Sequence, residues 1–183
     1  MRKHDGTGLL LTAYYRLQDR YEETEGRRRQ AEADIAALRG LLGGDALIPT
    51  QGVARLGGMR GAGGHSTPTE QAASRYGEEL AHYQARLTSK EARLRQLTLT
   101  LQDLAETLAP VRAALARLAA EDQEILRRTY RQPGESLEMI ARGLRFPDGE
   151  YRERSTIKYH LNIARLAVAQ AVAGDDVSGI LNG

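Results

Sequence analysis

The segment RERSTIKYHLN, Arg152 to Asn162, gathers the side chains that read nucleic acid. Arg and Lys can neutralise a phosphate or pair with guanine, Asn can read adenine, and Ser or Thr can bond to either. If the segment is helical with Ile157 and Leu161 inward, then Ser155, Thr156, Lys158, Tyr159 and Asn162 point outward. Arg152 and Arg154 lie just before them. These seven residues are the candidate DNA contacts. From Arg152 to Ala173 the cations Arg152, Arg154, Lys158 and Arg165 outnumber the single acid Glu153. A helix N-terminus adds its own attraction for phosphate. The bland alternative is a basic amphipathic helix that is only a solvated surface.

Other chemistry is poorly supplied. No nucleophile sits beside a base, and no carboxylate pair lies in an apolar run. His4, His65, His82 and His160 are too far apart to show metal-ligand spacing. His160 is the best acid–base candidate, but it lies in the segment above, where a half-buried or DNA-side His is the simpler reading. The glycine-rich stretch from Gly40 to Ser66 lacks the Gly-Lys-Ser/Thr of a phosphate loop. We therefore expect no catalytic residue, no metal, no cofactor and no enzymatic activity. Cysteine is absent, which excludes disulfides and thiolate chemistry and permits a reducing compartment. The net charge is only +2, so any DNA contact must come from local clustering.

A reading helix needs helices behind it. Three apolar-periodic segments follow Pro110: about Val111 to Arg131, then SLEMIARGL with Ser136 as N-cap, then about Arg154 to Ala173. Their inward faces are Leu115, Leu118, Ile125 and Leu126; Leu137, Ile140, Ala141 and Leu144; and Ile157, Leu161, Ala164 and Val168. Gln132-Pro133-Gly134 ends the first by turn chemistry. This order is that of a three-helix, helix-turn-helix DNA-binding unit.

Those residues also resemble a known family. AEDQEILRRTYRQPGESLEMIARGL is similar to the fourth region of bacterial sigma factors and to LuxR-type units, with Ile125-Leu126, Ser136-Leu137, Ile140-Ala141 and Leu144 in the matching places. STIKYHLNIARLAV resembles their recognition helix, with Thr156, Lys158 and His160 at its recurrent polar places. The whole chain resembles phage-encoded transcriptional regulators of the RinA/ArpU kind, although outside the C-terminal unit the likeness is architectural. The resemblance implies action on phage late or packaging-region transcription. One departure is PDGEYRE, Pro147 to Glu153, which enlarges the turn before the recognition helix. Pro147-Asp148-Gly149 suits a turn of its own.

Upstream, two heptad seams alternate steps of three and four. One runs Leu10, Tyr14, Leu17, Tyr21, Thr24, Arg28, Ala31, Ile35, Leu38, Leu42. The other runs Ala73, Tyr76, Leu80, Tyr83, Leu87, Lys90, Leu94, Leu97, Leu101, Leu104, Leu108. Thr67, Pro68 and Glu70 form a helix-start signature ahead of the second. Each stripe needs a partner, and the nearest is the other. The second helix is longer, so part of its seam is left over, which argues for self-association or for docking onto the C-terminal unit. Pro110 should kink or restart the helix.

The expected fold is all-α: a long antiparallel helical hairpin (coiled coil) followed by the three-helix unit. Residues 1–109 form the stalk, with a flexible Gly-rich linker at 40–66; residues 110–174 form the sigma-like helix-turn-helix; and residues 175–183, DDVSGILNG, form a frayed tail. The expected partners are double-stranded DNA and further copies of the chain, as a homodimer or higher oligomer, without a membrane. Arg16 ends the short apolar run near the start, so no signal peptide is read there, and a bacterial host cytoplasm is expected. Two alternatives stay open. One is the small, DNA-packaging subunit of a phage terminase. The other is a structural adaptor whose helix-turn-helix binds protein such as RNA polymerase.

Overall fold

A computed structural model describes residues 6–43, 68–131 and 135–182. The linker from 44 onward, the Thr67 cap and the Gln132-Pro133-Gly134 turn fall outside those residues. The described chain is all-α, with six helices and no strand: α1 (Gly6–Gly43), α2 (Pro68–Leu115), α3 (Ala120–Tyr130), α4 (Leu137–Gly143), α5 (Arg154–Ala171) and α6 (Ser178–Asn182). None is long and apolar enough to cross a membrane.

The chain forms two compact units. One joins Met1–Thr24 to Thr100–Gly183; the other is Glu25–Leu99. In the first, Leu11, Leu108, Val111, Ile125, Leu126, Ile140, Ile157, Val168 and Ile180 are fully buried in one core. α5 packs on α3 and on α4, and α4 packs on α3. The inward faces read from the sequence meet there: Ile125 and Leu126 of α3, Ile140 and Ala141 of α4, and Ile157, Leu161 and Ala164 of α5. Ion pairs from Arg131 to Asp19 (2.7 Å) and to Glu22 tie the end of α3 to α1. Leu11 and Tyr15 lie off the heptad seam yet are buried in this core, because α1 presents more than one apolar face here.

Two features differ from the sequence reading. α2 continues through Pro110 to Leu115, and the next helix begins at Ala120. Leu108, Val111 and Leu115 continue one buried stripe across the proline, and that burial offsets its lost hydrogen bond. The last turn tightens, with Leu118 N donating to Leu115 O at 3.0 Å, before Ala119 turns extended. Second, the tail is not frayed. Ser178–Asn182 forms a short helix and Ile180 is fully buried in the core. The enlarged turn, by contrast, forms a turn of its own as read from Pro147-Asp148-Gly149, and Arg145 and Tyr151 form an antiparallel bridge across it.

The second unit is built differently. Ala31, Ile35 and Leu38 of α1 are buried, whereas Tyr76, Leu80, Tyr83, Leu87, Leu94 and Leu97 of α2 are only half-buried. Ion pairs from Lys90 to Asp34 (2.6 Å) and from Arg39 to Glu91 (2.8 Å) join the two helices. Lys90, the break in the α2 seam, thus has an acid on α1.

Candidate nucleic-acid interface

The reading helix is positioned from below. Ser136 caps α4 by accepting from Met139 N at 3.2 Å, satisfying an amide that the helix start leaves open. Ile140 and Ile157, both with no exposed surface, hold α4 and α5 against α3. His160 adds a polar tie: its Nδ1 lies 2.8 Å from Asp122 Oδ1 of α3, and its ring packs 5.5 Å from Phe146. His160 therefore faces the protein, matching the half-buried reading.

The enlarged turn closes on itself. Gly149 N donates to Phe146 O at 2.8 Å, and Gly149 has φ +81°, a left-handed conformation that favours glycine. Asp148 accepts from Glu150 N at 3.0 Å and pairs with Arg152. These contacts hold the Asp148 carboxyl below the usual carboxylate range, the Glu150 amide contributing most and Arg152 next. Phe146 is buried, with the Arg152 guanidinium 5.0 Å over its ring. Arg145 donates to the Tyr151 hydroxyl at 3.3 Å and lies over its ring. The turn is a small hairpin stitched by its own charges.

The candidate contacts separate accordingly. Arg152 is engaged by Asp148 and Phe146. Arg154 is 65% exposed but donates to Glu138 of α4 at 3.0 Å. Ser155 donates to Glu153 at 3.4 Å. Thr156 and Asn162 are half-buried, while Lys158 and Tyr159 are exposed. Lys158 enters no ion pair among the described residues. Arg165, counted among the local cations, is buried at 7% exposure, and burial lowers the pKa of its guanidinium. It cannot face a groove. The cationic surplus read from the sequence thus shrinks to Lys158 and a shared Arg154.

The sequence reading passed over two features. Arg142 and Arg145 are exposed and add polar surface from α4 and the hairpin, beside the exposed Tyr151. Further along α5, Tyr159, Ile163 and Leu166 are 63%, 45% and 61% exposed. With Asn162, Ala167 and Gln170 they line a shallow groove of about 350 Å³. Their spacing was legible in the sequence as a second apolar stripe, opposite the one that includes Ile157 and Leu161. No protein-family model, no curated protein and no solved structure matches the chain.

Proposed function

We propose that this chain is a sequence-specific DNA-binding regulator of phage or prophage type that acts as an oligomer in the host cytoplasm. In this reading α3, α4 and α5 are the helix-turn-helix, with α5 the recognition helix. α1 and α2 are the helical hairpin that spaces two such units.

One observation carries the DNA reading. α5 is locked by Ile157 and Leu161 into the α3/α4 core, and its first turns present Arg154, Ser155, Lys158 and Tyr159 outward. A recognition helix needs such a rigid base and such a polar, cationic start. The Arg154–Glu138 pair is exposed, so exchanging Glu138 for a phosphate costs little. Arg145 and Tyr151 place the hairpin beside α5 as a second contact to phosphate, in the manner of a wing. The test is selection from a randomised duplex-DNA pool at low and moderate salt. A motif that survives moderate salt, with two half-sites, is the expected result. No DNA retained at either salt would sink the reading.

The exposed Tyr159, Ile163 and Leu166 favour a second reading, in which α5 docks protein such as RNA polymerase. Arg154→Ala with Lys158→Ala distinguishes the two. The pair abolishes DNA binding in the first reading and leaves partner binding intact in the second.

A further inference from the structure

The two arginines nearest the start of α5 are already held by carboxylates of the same chain. Arg154 donates to Glu138 of α4 at 3.0 Å, with both side chains more than half exposed. Arg152 pairs with Asp148 within the hairpin. The helix start itself carries an acid. Glu153 stands at the N-cap of α5, caps none of its amides with its side chain, and accepts from Ser155 Oγ at 3.4 Å. We propose that Glu138 and Asp148 are autoinhibitory: they compete with phosphate for Arg154 and Arg152 and hold down sequence-independent binding of polyanions.

The charge pattern supports this. Between Ser136 and Asn162 stand the cations Arg142, Arg145, Arg152, Arg154 and Lys158, and the acids Glu138, Asp148, Glu150 and Glu153. The surface that would meet DNA is therefore nearly neutral in the free chain. Asp148 is fixed in place, because it accepts from Glu150 N at 3.0 Å as well as pairing with Arg152. These contacts keep its carboxyl ionised well into acid. Glu150, on the same hairpin, is exposed and enters no ion pair among the described residues.

A phosphate that docks on Arg152 or Arg154 displaces a carboxylate and then lies beside it. At roughly 5–7 Å in the dielectric of water, that repulsion weakens binding about threefold per carboxylate. Lys158 is exposed and has no such competitor among the described residues. Contacts made further along α5 are thus unopposed, while the two arginines must first be released. This inference rests on the DNA reading for its natural ligand, but the competition itself concerns phosphate.

The test titrates the full chain at low salt with a random-sequence duplex and with linear polyphosphate, which has phosphates and no bases. Asp148→Asn keeps an acceptor for the Glu150 amide and removes the charge. Glu138→Gln likewise keeps an oxygen for Arg154. Each should tighten polyphosphate and duplex about threefold, and the two together about tenfold. Glu150→Gln removes the same charge without releasing a cation and should gain less. The pairing is read by coupling. With Arg152→Ala in place, Asp148→Asn should gain no more than Glu150→Gln does, and Arg154→Ala should cancel the gain from Glu138→Gln in the same way. If Asp148→Asn opens the hairpin, seen as lost ellipticity, the Glu138–Arg154 cycle still decides. Unchanged binding in both variants, an equal gain from Glu150→Gln, or gains that persist without the arginines would overturn the proposal. Tighter polyphosphate binding with no duplex retained would leave it standing and remove the DNA reading. A selected duplex motif with indifferent variants would do the reverse, and no polyanion bound by any variant would overturn both.

Discussion

The two compact units bury apolar surface in opposite ways. In the unit that carries α3 to α5, side chains from all six helices converge, and many of them lose their entire exposed surface. In the Glu25–Leu99 unit, α1 buries Ala31, Ile35 and Leu38, while the facing α2 residues stay half-covered and partly exposed ion pairs bridge the helices. Two helices can shield only one stripe each. A third and fourth element are needed to close a core. Rigid positioning belongs to the first unit, and the second leaves the α2 seam only half-covered.

The largest effect that would break this contrast is in the first unit. Ile157→Asp puts a charge where no surface is exposed and should abolish cooperative unfolding of the α3–α5 region, read by circular dichroism and denaturant titration. Ile180→Ala comes next. The docked tail should lose about 2–5 kcal/mol by the cost of a buried Ile truncation. Wild-type stability would instead return the tail to the frayed state expected from its sequence. Leu94→Ala in the second unit should cost less, about 1–2 kcal/mol, because the side chain is already half in water. Equal costs at Leu94 and Ile180 would erase the distinction between the units.

Acid sharpens the comparison further. Arg127, and then Arg128, hold the Glu124 carboxyl down to about 2 against burial, compared with an ordinary 4.5. The unfolded carboxyl therefore takes up its proton at higher pH than the folded one. Stability from this group is fully present above about pH 4.5 and is lost as pH falls toward 2. Glu124→Gln should flatten the acid limb of a stability-against-pH titration within that window. An unchanged limb would remove the Arg127–Glu124–Arg128 cluster from the account. The smallest effect concerns the proposed interface. Lys158→Ala should lower the slope of log affinity against log salt by about one, and Arg152→Ala should lower it less, because Asp148 already holds that guanidinium. Equal losses would mean that Arg152 leaves Asp148 for the phosphate.

How much of the site was legible depends on the residue. Ser136 was readable as a cap, and Ile157 and Leu161 as an inward stripe, because both signals repeat within one helix turn. The fates of Arg152, Arg154 and Arg165 were not. Pairing with Asp148 or Glu138, or entry into the core, depends on which elements come close, and a count of charges along the chain cannot contain that. The sequence alone determined an all-α chain, two heptad seams and the order of helices after Pro110. Helical period and capping are local, and each is encoded within a few residues. Tertiary structure decided that α2 runs through Pro110, that Ile180 anchors the tail, and that of the four local cations Arg152 and Arg154 pair with carboxylates, Arg165 enters the core and Lys158 stays exposed. Burial and charge pairing are sums over the space around a residue, and that space is assembled from segments distant in the chain.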